Sequence, residues 1–589
     1  MKKQYKFLFT ILLFTAVYVF YGFSQHNNSK ISFFLNNKLS SASNNDKVLV
    51  WVYFNDKGTN NIADAISGLS KESIQRRKLK GKIDAQDIPV YNEYLSQVVN
   101  SGIEIKQKSK FLNAISCLAT RGQIETLTHF SFVKKVDVVA KFKTRENDIE
   151  VTSMSADNTV PENSNQTDNA SSFSYGASLT QMNLINAVPA QDSGFLGKGV
   201  LIAVFDTGFD NLPHPAFDSI RARGLRSYDF VNGDTIVADL PGRMGEGSHG
   251  TATLSLIGGY RPGSLVSPAF RSRFILAKTE NTDSETPLEE DNWIAAVEWA
   301  DSLGADIISS SLGYVEMDPG SSHSYDWTWM NGDSTVITRG ANHAVDLGIV
   351  VVNSAGNNGF NSVRNTLGAP SDGKNVICVG SIDTDKRRSS FSSVGLTTLG
   401  AIKPDVCAFG NGNTYASANG GTGYSTGSGT SFSCPMTAGV CAMLLQANPT
   451  LTPANIKQIL RTKADSSNTP NRLRGWGLIN AWESVKLART FSGISNENGV
   501  VTGFALKQNY PNPFNPVTKI EFELRTSENV KIIVYNALGK QVNELVNGVQ
   551  TAGNHSISFD GAGLNSGVYY YALYANGNLM ETKAMMLIK

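Results

Sequence analysis

Between Tyr175 and Arg489 the chain alternates short apolar runs with helical patterns, and that alternation constrains its architecture most. Val200-Leu201-Ile202-Ala203-Val204-Phe205 has no polar residue at every second position, as expected of a strand covered on both faces. Phe274 to Ala277, Asp306 to Ser310, Ile349 to Asn353 and Val376 to Val379 repeat the style. Between them, Leu288 to Leu303 has helical periodicity, and Thr452-Pro453 reads as a helix start with proline in the first turn. Strands alternating with helices in this way predict an α/β unit over 175–490, a parallel sheet with helices on both faces. Near-neutral charge, 52 basic against 51 acidic residues, argues against a nucleic-acid coat, so no nucleic-acid partner is expected. Five cysteines in 589 residues are too few for a disulfide scaffold.

The flanking regions read differently. Lys2, Lys3 and Lys6 precede an apolar run from Phe7 to Tyr21, with small residues Gly22 and Ser24 after it, so residues 1–24 are expected to be an export signal. The run is short for a bilayer span of roughly 20 residues. Lys47 to Lys143 has an α+β pattern, with a strand at Val48 to Phe54, helical spacing from Pro89 to Val99 and from Gln123 to His129, and further strands at Ile103 to Lys106, Ala114 to Ala119 and Val133 to Val139. Within it the run Arg76-Arg77-Lys78-Leu79-Lys80 is read as a solvated helix face. Residues 144–174 are rich in Ser, Asn, Asp and Thr and poor in large apolar residues, which predicts an exposed linker. Residues 500–589 alternate with period two between Asn/Gly turns, predicting a small antiparallel β-sandwich. Cys434 and Cys441 stand about two helical turns apart, roughly 10 Å, too far to pair. Cys378 and Cys407 stay open as partners, and buried thiols are expected for most of the five.

Three motifs in the α/β region carry chemistry. Phe205-Asp206-Thr207-Gly208 puts an aspartate at the carboxyl end of a buried strand, where open parallel sheets place ligands. Ser248-His249-Gly250-Thr251 puts a histidine at the start of an apolar helix, and Gly429-Thr430-Ser431 puts a serine at the mouth of another, whose first amides lack intrahelical acceptors. Each motif alone is ordinary turn chemistry. Together they supply a nucleophile, a base, an orienting carboxylate and oxyanion donors in the order Asp, His, Ser. A competing pattern, Gly423-Tyr424-Ser425-Thr426-Gly427, fits the Gly-x-Ser-x-Gly elbow. That elbow needs a later histidine, and His555 lies in the separate β module; the stretch is read as the loop feeding Ser431. His214 is read as structural, and no His-Glu-x-x-His or paired Cys-x-x-Cys argues for a catalytic zinc.

On these motifs, and on Ser311-Leu312-Gly313, Ser354-Ala355-Gly356-Asn357, Ala369-Pro370 and Lys403-Pro404-Asp405-Val406, the region Tyr175 to Arg489 resembles the subtilases, subtilisin-like serine proteases. The resemblance implies Ser431 as nucleophile, His249 as base, Asp206 as its orienting acid and Asn357 as oxyanion donor, with Ser311, Leu312 and Gly313 lining the first substrate pocket. It implies protein or peptide substrates and no cofactor for the chemistry; subtilases often bind structural calcium, but no ligands map onto this sequence and metal residues stay unassigned. By position and pattern, with Ser109-Lys110-Phe111-Leu112-Asn113-Ala114, residues 47–143 resemble the inhibitory subtilase propeptide. Tyr510-Pro511-Asn512-Pro513-Phe514-Asn515-Pro516, with Val534 to Gly539 and Gly567-Val568-Tyr569, resembles the sorting domain of type IX secretion cargo. The expectation is a self-processing zymogen, carried through the periplasm and the type IX machinery to become secreted or surface-bound. A silent binding protein on the same scaffold and an esterase are the rival readings, separable by an active-serine label and by a peptide-versus-ester panel.

Overall fold

The computed structural model describes residues 30–139, 171–281, 289–314, 325–491, 505–509, 511–524, 528–537, 539–551 and 553–589. The expected export signal and all but residues 171–174 of the expected linker lie outside them. The chain divides into two compact units, Met1–Thr490 and Phe491–Lys589.

The first part of the larger unit runs α1 (Phe33–Ser41), β1 (Val48–Phe54), α2 (Lys71–Lys80), α3 (Asn92–Asn100), β2 (Glu104–Ser109), β3 (Ala114–Ala119), α4 (Arg121–His129) and β4 (Val133–Val138). The antiparallel sheet has the order β2-β3-β1-β4. Val50, Val52, Ile115 and Val136 join Leu95 and Val98 of α3 and Ile124 and Leu127 of α4 in its core. Leu35 and Leu39 of α1 enter the same core, Ser32 caps α1 through Leu35 N, and Ile31 bridges to Val136. The folded module therefore begins upstream of Lys47. Two apolar anchors in an Asn/Ser/Lys-rich helix give too weak a periodic signal to be read in advance.

The second part carries β5 (Leu201–Asp206), β6 (Arg226–Asp229), α5 (His249–Gly258), β7 (Arg273–Lys278), α6 (Glu289–Leu303), β8 (Ile307–Ser310), α7 (Val336–Asp346), β9 (Val350–Ser354), β10 (Ile377–Ile382), β11 (Val406–Phe409), β12 (Asn411–Ala416), β13 (Tyr424–Ser428), α8 (Thr430–Ala447), α9 (Pro453–Lys463) and α10 (Ala481–Thr490). Seven strands form one sheet in the order β11-β10-β9-β8-β5-β7-β6, with every pairing parallel. Leu201, Ala203 and Phe205 face α6 and α7, and alternation sends Ile202 and Val204 toward α5 and α8. The chain enters at β5, moves to one side, then crosses to build β8 to β11 on the other. The reversal in strand order thus falls at β5, which opens a crevice beyond its carboxyl end. Helices α5 and α8 sit beneath that crevice and are buried almost all round, which explains their lack of a polar face.

The α2 basic run is not simply a solvated face. Lys78 and Leu79 are exposed, but Arg76 and Arg77 are buried against α6, where both pair with Asp301, Arg77 at 2.5 Å. Arg77 also reaches Asp87 at 2.7 Å, and Arg76 donates to Ala305 O at 2.7 Å. A basic run is read as solvated when its acid cannot be seen, and this acid is 224 residues away. Farther along, Glu298 of α6 accepts from Ser109 Oγ at 2.6 Å and from the amides of Lys110 and Phe111 at 3.1 Å each. Phe111 then inserts beside His343, with ring centroids 4.4 Å apart. The N-terminal module is held to α6 and α7 by buried charge as much as by apolar contact.

In the smaller unit β14 (Ala505–Leu506), β15 (Val517–Leu524) and β18 (Gly553–Asp560) form one sheet; β16 (Glu528–Asn536), β17 (Gln541–Gln550), β19 (Gly567–Ala575) and β20 (Asn578–Leu587) form the other. All pairings are antiparallel. Ile520 and Phe522 from the first sheet and Ile532, Val534 and Leu573 from the second share the core, making the expected sandwich. Phe514 of the proline-rich loop is buried in that core, and its backbone bonds Met586 and Ile588. Asn509 fixes the loop by donating to Pro511 O and Thr518 Oγ1, each at 3.0 Å.

Candidate active site

Asp206, His249 and Ser431 come from three different elements that meet at the crevice. Asp206 ends β5 and is fully buried, where a polar group needs hydrogen-bond partners. It accepts from Thr207 N at 2.9 Å and from Thr253 Oγ1 at 2.9 Å, and His249 Nδ1 lies 2.8 Å from its Oδ1. Thr253 is one turn beyond His249, so helical spacing brings both onto the same carboxylate. The helix can approach only because of its glycine: a Cβ at Gly250 would lie 2.4 Å from Gly208 O and 2.9 Å from Asp206 Cβ.

Ser431 stands in the first turn of α8, reached through the β12–β13 hairpin. Ser425, the serine of the competing elbow pattern, lies on strand β13 paired with Tyr415. Pro435 lies inside α8 beyond the first turn and has no N–H for the carbonyl of Ser431. Ser311 Oγ donates to that carbonyl at 2.9 Å instead. The proline break thereby ties the nucleophile's turn to the segment after β8. Asn357 accepts through Oδ1 from Thr430 N at 2.9 Å and Thr430 Oγ1 at 3.0 Å. A methyl group at Gly429 would lie 2.8 Å from Ser431 Oγ and 3.5 Å from Asn357 Nδ2. Hydroxyl and amide therefore border one small space that only glycine leaves open. Among the described residues, His249 Nε2 and Ser431 Oγ are buried without hydrogen-bond partners.

A pocket beside Ser431 is lined by Ser311, Gly313, Ser354, Gly356, Asn358 and Gly368. Ser311 and Gly313 thus stand at the expected pocket, but Leu312 turns its side chain into the hydrophobic core; only its carbonyl is engaged locally, by Asn353 Nδ2 at 2.9 Å. Two residues were not singled out in the sequence. Glu280, buried beyond β7, accepts from Thr279 Oγ1 at 3.0 Å and from the Tyr314 hydroxyl. Burial, reinforced by the charge of Asp206, pushes its carboxyl up to about 7. Tyr314 follows Gly313 and exchanges backbone hydrogen bonds with Ala369, so Glu280 braces both walls of the pocket.

The sequence pattern of the subtilase family matches residues 197–477, that of the Bacteroidota peptidase S8 propeptide domain residues 49–154, and that of the secretion system C-terminal sorting domain residues 508–588. Subtilisin DY of Bacillus licheniformis is 30% identical over 299 residues, which span 50% of this chain and 94% of that protein. The chain belongs to the subtilase family. Serine protease AprX of Bacillus subtilis (strain 168) is 32% identical over 317 residues, 49% of this subtilase and 66% of AprX. The fold resembles that of fervidolysin from Fervidobacterium pennivorans, a keratinolytic enzyme related to subtilisin, at a TM-score of 0.52 and 17% identity, covering 90% of this chain and 72% of that one. This subtilase is a serine endopeptidase with a propeptide and a type IX sorting domain, and the latter marks it as secreted or cell-surface. Among its described residues, no helix is long and apolar enough to cross a membrane.

His214 is structural: Nε2 meets Gly423 O at 3.0 Å and Nδ1 accepts from Ala216 N at 3.0 Å. All five cysteines are buried and unpaired with one another, and burial pushes the thiols of Cys378 and Cys407 up to about 12. Among the described residues, no group of three or more His, Cys, Asp or Glu side chains could hold a metal ion.

Proposed function

We propose that this subtilase cleaves peptide bonds through an acyl-enzyme formed on Ser431. Ser431 Oγ attacks the scissile carbonyl carbon as His249 Nε2 removes its proton. Asp206 holds the ring through Nδ1 and stabilises the imidazolium. The Asn357 amide and the Ser431 backbone N–H, in a first turn without intrahelical acceptors, receive the oxyanion. The C–N bond breaks as His249 returns the proton to the leaving amine, and water then releases the acyl group by the reverse route. No cofactor enters this scheme. The observation that carries it is the 2.8 Å His249–Asp206 contact, with His249 Nε2 and Ser431 Oγ both buried and left for the reactants.

In the same reading, the N-terminal module is the enzyme's own inhibitor until cut away, protein or peptide segments are the substrates, and Ser311 and Gly313 border the first pocket. The test is a fluorophosphonate probe followed by peptide mapping. A single adduct on Ser431, abolished in His249→Ala, is expected. Hydrolysis of peptides by enzyme whose Ser431 stays unmodified would overturn the assignment.

A further inference from the structure

One strongly buried charge near the site has no part in that chemistry. Lys278 closes β7 beside Asp206, its register partner on β5, and its side chain is wholly removed from water. A lysine so placed needs an acid, and its Nζ lies 3.0 Å from Asp239 Oδ1. The second oxygen of Asp239 accepts from Gly247 N at 2.6 Å, two residues before His249. The amide of Asp239 donates to Asp210 Oδ1 at 2.8 Å. Asp210 follows the Asp206 turn, and its carbonyl accepts from Thr251 Oγ1 at 2.7 Å, two residues after His249. His249 is therefore bracketed on both sides by one network. Helix α5 has no side-chain cap from Ser248, and the Asp239–Gly247 bond is one tie of its approach segment to the sheet, through Lys278 of β7.

We propose that Lys278 and Asp239 are positioning residues for the reaction. The ammonium fixes the Asp239 carboxylate from below, and the carboxylate fixes the backbone at Gly247, which sets where His249 leaves the chain. An apolar pair could fill this volume, but it would exert no directional hold on an N–H. The loop ending at Gly247 also lies directly over the lysine: a Cβ at Gly245 would come within 3.4 Å of Lys278 Cε. The inference rests on His249 acting as the base and adds the two residues that aim it.

The test compares mature wild-type, Asp239→Asn, Lys278→Met, Lys278→Arg and the Asp239→Asn/Lys278→Met pair, each with its active sites counted by fluorophosphonate titration. A base displaced by about 1 Å costs about 10²-fold in turnover, so kcat per titrated site should fall by up to roughly that order in Asp239→Asn and in Lys278→Met, with KM little changed. The double variant should be no worse than either single one, because both remove the same link. Lys278→Arg should recover most of the loss. A merely stabilising ion pair would lower the melting temperature and the number of titratable sites while each site kept its kcat. A charge acting at a distance would move the acid limb of kcat/KM in opposite directions in the two single variants, with kcat intact at the optimum. Either result overturns the proposal, as does a kcat per site in Asp239→Asn equal to wild type. Should Lys278→Met fail to fold, Asp239→Asn and Lys278→Arg decide alone. Wild-type turnover and its Ser431 adduct test the catalytic reading, and the variant-to-wild-type ratio tests this one.

Discussion

Asn357 spends its Oδ1 on the first turn of α8, which orients the amide nitrogen toward the space above Gly429. If that nitrogen receives the oxyanion, Asn357→Ala should fold and mature slowly but lose about 10²- to 10³-fold in kcat, roughly 3–4 kcal/mol of transition-state stabilisation. Steady-state kinetics at matched melting temperature checks this, and near-normal kcat contradicts it. Asp206, His249, Ser431 and Asn357 were legible in the sequence because each is embedded in a short motif whose neighbours are required by contact. Gly250, for example, is demanded by the approach of α5 to Gly208. Glu280, Tyr314, Lys278 and Asp239 have no such local context. Their partners lie 34 and 39 residues apart and meet only once the sheet is assembled. The one available signal was a lysine ending the apolar run Phe274 to Ala277, a charge that had to find an acid. Leu312 shows the converse: the motif located the pocket segment, but alternation along the chain sends the middle side chain to the core.

Helix α6 offers the N-terminal module a row of acids, and their titration decides how that contact responds to pH. Asp291, bonded by Ser116 Oγ, has its carboxyl pushed up to about 7 by burial, and burial also raises Glu298. Burial opposes the charge of Asp301 as well, but Arg76, Lys110 and Arg77 hold its carboxyl below the ordinary value. A carboxyl near 3.9 when solvated and near 7 in the contact takes up a proton on association. Its stabilisation is complete below about 4 and is lost as pH rises to about 7, by up to about tenfold in affinity per pH unit for each such group. Asp301, held low, lies outside this window, and His343, lowered by burial, opposes the trend that Asp291 and Glu298 share. The inhibition constant of the separate N-terminal module against mature enzyme should therefore weaken from pH 5 to pH 7 and flatten in Asp291→Asn. A constant that is level or tightens over that range contradicts the assignment. The stretch Ser109 to Ala114 stood out in the sequence, but its acid partners on α6 did not. The Arg76-Arg77 run was visible, but a helix face shows its partner only in the fold. Conversely, β5 and the sheet beside it were legible because burial on both faces leaves an unbroken apolar run. β17 was not, since its residues are mostly exposed or half-buried and its alternation is faint.

At the scale of the whole molecule, the two compact units divide the tasks, with all candidate catalytic groups in Met1–Thr490 and the sorting sandwich in Phe491–Lys589. Deleting residues 500–589 should leave peptide hydrolysis intact per titrated site while the protein stays in the periplasm, assayed by activity in cell fractions. Loss of hydrolysis by a normally folded truncation would instead make the sandwich part of the catalytic unit. The division was legible because the hydrophobic period changes from 3.6 and continuous runs to two near residue 500. The start of the propeptide module was not, because α1 fully buries only Leu35 and Leu39 in the core. One measurement bears on every level together, from nucleophile to maturation: the intact mass of Ser431→Ala expressed in a strain lacking related proteases. If Ser431 makes the first cut itself, the variant accumulates as a precursor still joined to residues 47–143, and added wild-type enzyme trims it within the polar stretch 144–174. A fully matured Ser431→Ala protein in that background would contradict self-processing by this triad.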